Sequence, residues 1–340
     1  MHIFRHLHLR AALLAVVGLL AVGSGAAYAA TRASAPKIGT GIVVIDTQLG
    51  YESASAAGTG MVLTSSGEIL TNNHVIAGAT KVTVVVPHTA HRYVARVVGY
   101  DVSDDVAVLQ LQGASNLKTV STATAAVKVG THVTAVGNAG GTGTLASASG
   151  VVTGLNKSIT AQDDNANSET LSGLIETNAA LQPGDSGGPL ETSTSKVAGM
   201  DTAASTGSPF ADYATDAYAI PIAKALTLAK QIEAGKSSAT IHVGGTAFLG
   251  IQVSDAQSSP YEPSQGAAIV GVVSGGPSAT AGLAAGDVIT AINGQSVGAA
   301  SDVQSILQSL KPGAKVTVTY TDATSTTQAA SVTLGSGPPQ

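Results

Sequence analysis

The chain contains no cysteine and no tryptophan. Without thiols, disulfides, thiolate nucleophiles and cysteine-bound zinc are all excluded. Charged residues make up 11% and aromatic residues 3% of the 340 positions, and lysines and arginines form no run. With a net charge of -5, a phosphate backbone is excluded as the main partner, so nucleic-acid binding is not expected. What is present is a hydrophobic fraction of 44%, enough for a sizeable core, over a length that fits about two domains. Glycine reaches 40 residues, the profile of many short strands and tight turns, so the fold class expected is mainly β.

The N-terminus combines Arg5 and Arg10 with an uncharged stretch over residues 11–30, rich in Leu, Val and Ala. Residues 11–22 have the length of a signal-peptide apolar region, and Ala27-Tyr28-Ala29 offers small residues at a peptidase spacing. Residues 1–30 therefore read as a signal peptide or an uncleaved membrane anchor. Either puts the rest of the chain outside the cytoplasm, because the positive residues precede the apolar run. Residues 31–39 read as a linker.

Short apolar runs separated by turn residues follow at 42–45, 60–63, 69–71, 82–86, 93–98 and 106–111, and again at 132–136, 149–155, 174–177, 188–191, 196–200 and 217–220. Two comparable strand sets suggest two packed β-barrels. The polar segment 162–170 reads as a surface loop, and Pro221 opens a helix over 222–234 that Gly235 stops. These elements define a first domain over 40–235. A Ser/Gly-rich linker over 236–245 precedes a second domain over 246–336, with strands at 248–253, 267–273, 288–292 and 315–320 and a helix at 301–310. No glycine-rich loop precedes a Lys-Ser or Lys-Thr pair, so nucleotide chemistry has no foothold.

Gly184-Asp185-Ser186-Gly187-Gly188-Pro189-Leu190 is the most informative stretch. Glycine on both sides lets the backbone turn tightly around an unobstructed hydroxyl, with successive N–H groups free to converge on one point, as acyl transfer requires. A plain surface turn has the same composition. A serine needs a histidine base and a carboxylate that orients it. His74, at a strand end in Leu70-Thr71-Asn72-Asn73-His74-Val75, is the candidate base; His88 and His91 flank a polar hairpin, and His132 and His242 read as strand or linker residues. Asp104 and Asp105 stand before an apolar strand, and only one of two neighbours can face the site.

Thr71-Asn72-Asn73-His74-Val75, Asp105-Val106-Ala107-Val108-Leu109 and Pro183-Gly184-Asp185-Ser186-Gly187-Gly188-Pro189-Leu190, in the order His, Asp, Ser, resemble the HtrA family of trypsin-fold serine proteases. Gly58-Thr59-Gly60 and Val197-Ala198-Gly199-Met200-Asp201-Thr202-Ala203 extend the resemblance. It implies a two-barrel trypsin-like protease domain followed by a small α+β PDZ domain, with a catalytic triad of His74, Asp105 and Ser186 and an oxyanion hole from the backbone N–H groups of Gly184 and Ser186. It also implies a substrate pocket with Ala180, six positions before Ser186, at its base and Met200 on a wall. In the second domain Phe248-Leu249-Gly250-Ile251 is similar to the carboxylate-binding loop of PDZ domains, which capture peptide C-termini beside a strand edge.

The chemistry so implied needs no metal and no organic cofactor, and the partners implied are unfolded polypeptides cleaved outside the cytoplasm. A binding scaffold or holdase with vestigial protease activity, and a hydrolase with esterase specificity, are the rival readings. The chain departs from the family where Asp185 and Asp201 replace the usual asparagines. It also carries no aromatic residue over 36–50, where trimeric members bury theirs, so the resemblance leaves a homo-oligomer open.

Overall fold

The computed structural model describes residues 39–51, 53–162, 168–204, 216–256 and 266–339. The expected signal peptide or anchor and nearly all of the first linker lie outside these residues. Among the described residues no helix is long and apolar enough to cross a membrane.

The first sheet runs Ile241–Val243, His91–Asp101, Lys81–Val86, Ile42–Leu49, Ala54–Val62, Glu68–Thr71 and Val106–Leu111 in spatial order. A further pairing of His91–Asp101 with Val106–Leu111 closes this sheet on itself. The second is a closed barrel of Pro189–Thr192, Val197–Ala204, Ala217–Pro221, Ser168–Thr177, Ala146–Gln162 and His132–Gly137.

The unbroken apolar run Ile42-Val43-Val44-Ile45 follows from the contact between these barrels. Alternate residues of a strand face opposite ways. Val43 and Ile45 accordingly fill the first barrel, whereas Ile42 and Val44 pack on Val136 and Leu145 of the second. Both faces are buried, so no polar alternation is tolerated. Val106–Leu111 is shared in the same way: Ala107 and Leu109 point into the barrel, while Val106 and Val108 meet the helix Ile222–Glu233. That helix buries Ile222, Ala225, Ala229 and Ile232, the spacing of one helical face.

The C-terminal module is a sheet of Ile251–Asp255, Ala267–Val272, Val288–Ile292, Lys315–Thr321 and Thr327–Thr333, with Gln295–Ser296 beside Val288–Ile292 and a separate pair formed by Thr246–Phe248 and Gly335–Gly337. The helix Ala300–Gln308 covers its core through Val303, Ile306 and Leu307.

Three expectations are corrected. The single strand over 248–253 is two strands, Thr246–Phe248 and Ile251–Asp255, with a turn at Gly250, whose φ is 74°. The loop over 162–170 is narrower than expected at its edges, since Thr160, Ala161 and Gln162 pair with Thr170, Glu169 and Ser168 in the strands Ala146–Gln162 and Ser168–Thr177; residues 163–167 lie outside the described residues. The linker over 236–245 contains the strand Ile241–Val243, hydrogen-bonded to His91–Asp101.

Glu68 lines a cavity of about 250 Å³ together with Lys230 and Glu233 of the helix. Burial, then a hydrogen bond to Glu233 and repulsion between the two carboxylates, pushes its pKa from 4.5 up to about 7. The folded state thus keeps a proton that the unfolded chain releases near 4.5, so stability falls as pH rises from 4.5 to about 7. Urea midpoints taken across this window are expected to drop more steeply for the natural chain than for Glu68→Gln; equal slopes for both would rule Glu68 out as a source.

Candidate active site

His74 lies in a single helical turn, Asn73–Ile76, that follows the strand Glu68–Thr71 directly. Its side chain is 49% exposed on one side, and its Nδ1 meets Asp105 Oδ2 at 2.9 Å on the other. The backbone N–H of His74 donates to Asp105 Oδ1 at 3.0 Å, so one carboxylate holds both the main chain and the ring. Asn72 Nδ2 donates to the Asp105 carbonyl at 2.9 Å, which ties the two loops from the other side.

Asp105 is 3% exposed and has a φ of 51°. This left-handed conformation is costly for residues with a Cβ and least so for Asp and Asn. It turns the chain sharply before Val106–Leu111 and aims the carboxylate at His74. Asp104 serves elsewhere: its Oδ1 pairs with Lys224 Nζ at 2.6 Å, and its N–H donates to Asp101 Oδ1.

Ser186 comes from the second barrel, in the turn before Pro189–Thr192, and is half-buried. Its Oγ donates to the Thr202 carbonyl at 3.3 Å, while the Thr202 hydroxyl donates to Asp105 Oδ2 at 2.5 Å. Thr202 therefore touches both the serine and the carboxylate that holds His74. The sequence includes Thr202 in the stretch that extends the resemblance but assigns it no role; its one signal is a hydroxyl beside Asp201 in the strand Val197–Ala204. The turn itself requires glycine. Gly184 has a φ of 95° and Gly187 one of 82°; a Cβ at the first would strike the Asn138 carbonyl, and at the second the Thr59 carbonyl and Thr71 hydroxyl. The backbone N–H groups of Gly184 and Ser186 donate to no backbone carbonyl among the described residues.

Both acids that replace the family's asparagines are fully buried. Asp185 Oδ2 accepts the Gln182 N–H at 2.9 Å and so shapes the serine turn, and the backbone of Asp201 pairs with Gly187 and Gly188. Ala180 is exposed, between Thr177 and the serine turn. Met200 is corrected: it is 0% exposed and packs among Met61, Leu70, Val106 and Val108, so it belongs to the core and not to an open pocket wall. The reason is that this stretch is covered on both faces, Ala198, Met200, Asp201 and Thr202 all being buried.

In the C-terminal module Leu249 is buried against Ile306 and Leu307, Phe248 and Ile251 are half-buried, and the carbonyls of Leu249 and Gly250 accept the N–H groups of Ser278 and Val273. The strand that follows, Ile251–Asp255, pairs only with Ala267–Val272 among the described residues and leaves its other edge open. The Phe248 ring stacks on Tyr51 of the first barrel, with centroids 5.2 Å apart.

Residues 58–200 match the trypsin-like peptidase domain family, and residues 247–334 match the PDZ domain family. Two closed β-barrels with a His-Asp pair on one and a Gly-Asp-Ser-Gly turn on the other, followed by a PDZ domain, define the class: a trypsin-fold peptidase with a C-terminal PDZ module. Over 320 residues the chain is 33% identical to the serine protease PepD of Mycobacterium tuberculosis, covering 88% of this chain and 65% of that protein. It is also 33% identical over 264 residues to the periplasmic pH-dependent serine endoprotease DegQ of Escherichia coli, covering 76% of this chain and 55% of that one. The solved structure of the HtrA-type protease AlgW with a tripeptide shares the fold, at a TM-score of 0.50 and 24% identity over 88% of this chain and 95% of that one. The chain therefore carries a trypsin-like peptidase domain followed by a PDZ domain, is similar to these serine proteases, and spans 55% to 65% of the length of the two curated relatives.

Asp105 loses one of its donors in Thr202→Val, a change that keeps the side-chain shape. A hydrogen bond to a charged group is worth about 1.5 to 3 kcal/mol. Peptide hydrolysis is therefore expected to slow by roughly 10- to 100-fold, measured as kcat on a fluorogenic peptide. An unchanged kcat would show that Thr202 does not hold the carboxylate.

Proposed function

We propose that this chain is an extracytoplasmic serine endopeptidase that cleaves unfolded polypeptides and captures their C-terminal tails on its PDZ domain. One observation carries the reading: a buried Asp105 carboxylate holds His74 by ring and backbone, and Thr202 links that carboxylate to the Ser186 hydroxyl.

His74 Nδ1 is engaged by Asp105, so Nε2 is the basic nitrogen. It takes the Ser186 proton as Oγ attacks the peptide carbonyl. The negative charge that develops on the carbonyl oxygen is stabilised by the N–H groups of Gly184 and Ser186. His74 then delivers the proton to the leaving amine, and an acyl-enzyme remains on Ser186. Water, deprotonated by the same imidazole, hydrolyses that ester and regenerates the serine. Asp105 holds the imidazole in one tautomer throughout and stabilises its charged form.

Ala180 carries no charge to attract Lys or Arg, so the pocket favours small or medium aliphatic residues before the cleaved bond, and does so loosely, since a methylene in such a pocket is worth only about 1 to 3 kcal/mol. The protease domain spans residues 40–235 and the PDZ domain residues 246–336, joined through 236–245. The apolar N-terminal stretch directs export or anchors the chain, in keeping with a relative named as periplasmic. In the PDZ domain Phe248, Leu249, Gly250 and Ile251 receive a terminal carboxylate, and the open edge of Ile251–Asp255 accepts the tail as an added strand.

Casein digestion is expected to stop in Ser186→Ala and His74→Ala and to fall severely in Asp105→Asn, with strongly non-additive combinations. Cuts mapped by mass spectrometry should follow Val, Ala and Leu. If Asp104→Asn is the more damaging change the carboxylate assignment fails, and a digest dominated by cuts after Lys or Arg overturns the pocket.

Tail capture is checked on the full chain carrying Ser186→Ala, which binds without cutting. Peptides ending in an apolar residue with a free carboxylate should bind, and their amidated forms at least about tenfold more weakly, a charge-assisted contact being lost. Equal affinity for both forms removes carboxylate capture.

A further inference from the structure

The N–H groups assigned to the oxyanion hole belong to Gly184 and Ser186. The carbonyls of these same residues are both held by Thr59. Its backbone N–H donates to Ser186 O at 2.9 Å, and its hydroxyl donates to Gly184 O at 2.7 Å. The direction of the second bond is fixed because a carbonyl oxygen can only accept; the hydroxyl gives its single proton there, and its oxygen accepts the Asn138 N–H at 2.9 Å. The Thr59 carbonyl in turn accepts the Thr71 hydroxyl at 2.7 Å, and Thr71 ends the strand that leads into His74. Thr59 is 0% exposed. It lies on Ala54–Val62 of the first barrel, whereas Ser186, Gly184 and Asn138 belong to the second.

We propose that Thr59 is a positioning residue that fixes the aim of the oxyanion-binding N–H groups from the opposite barrel. Gly184 has no side chain and at a φ of 95° little intrinsic conformational preference, so its peptide planes need an external hold. Through the Gly184 and Ser186 carbonyls Thr59 holds the two peptide planes on either side of the one that carries the Ser186 N–H, while the Pro183 and Asp185 carbonyls are held within the second barrel by the N–H groups of Gly140 and Gly188. Negative charge on the carbonyl oxygen exists only in the transition state and the tetrahedral intermediate. Misaimed donors therefore slow the chemical step while ground-state binding persists. This inference rests on Ser186 being the nucleophile.

The test compares the full natural chain with Thr59→Val, which keeps shape and loses the hydroxyl, and with Thr59→Ser, which keeps the hydroxyl. Thr59→Val is expected to lower kcat roughly 10- to 100-fold with KM within about threefold, and Thr59→Ser to recover kcat to within about threefold of the natural chain. The thermal midpoint of each variant separates this loss from unfolding. Should Thr59→Val fail to fold, Thr59→Cys, with its weak donor, decides alone: kcat between the natural and valine expectations supports the proposal, and kcat at the natural level overturns it. A folded valine variant with natural kcat, a loss confined to KM, or a serine variant as slow as valine each overturns it too. Labelling by a fluorophosphonate separates the two layers. No label on the natural chain, relative to a Ser186→Ala control, sinks the nucleophile assignment itself, whereas a labelled natural chain with natural kcat in Thr59→Val sinks only the role of Thr59.

Discussion

A negative charge buried where two barrels meet is the constraint around which this site is arranged. Removing a carboxylate from water costs several kcal/mol unless donors replace the lost solvent. Asp105 finds them in the backbone N–H and ring Nδ1 of His74 and in the Thr202 hydroxyl. The donors come from two parts of the fold, and both are thereby fixed: the turn after Glu68–Thr71, which supplies both His74 groups, and the strand Val197–Ala204, which supplies Thr202. The left-handed backbone at Asp105 is tolerated because these bonds over-determine it.

Around that charge the barrels are held together by ordinary packing. Ile42 and Val44 spend one face of a first-barrel strand on Val136 and Leu145 of the second, and Thr59 and Thr71 add polar bonds across the same boundary and within the first barrel. Apolar contact sets how close the barrels come; hydroxyl groups with one donor and a definite direction set their rotation. The division suits a site whose parts come from both sides, since area burial is non-directional and cannot by itself aim a backbone N–H.

Much of this was open to reading from the residues. Turn residues between short apolar runs marked the strands, and Pro221 and Gly235 bracketed the helix Ile222–Glu233. The Gly-Asp-Ser-Gly turn pointed to a nucleophile. The choice between Asp104 and Asp105 was not legible, because period-two alternation says only that they diverge; Lys224, distant in sequence, takes Asp104. Thr59 and Thr202 were unreadable for a similar reason. A buried threonine in an apolar strand has the same composition whether its hydroxyl is idle or holds a reactive loop, and the partners that decide it lie 125 and 97 residues away. Met200 misled because the resemblance implies a neighbouring wall but does not say that the strand carrying it is buried on both faces.

The strand Ile241–Val243 changes what the segment between the domains can do. Ten linker positions in the sequence suggest a loose cord, yet three of them are stitched to His91–Asp101, and the His242 ring donates from Nε2 to Gly245 O at 3.1 Å across the remaining bend. The Gly244 N–H also donates to the Val98 carbonyl at 2.8 Å, so the stitching runs on through Gly244 and leaves no free cord there. With the Phe248 ring stacked on Tyr51 just beyond it, the segment joins the module to the barrel as an extension of its edge strand, not as a flexible tether of variable span.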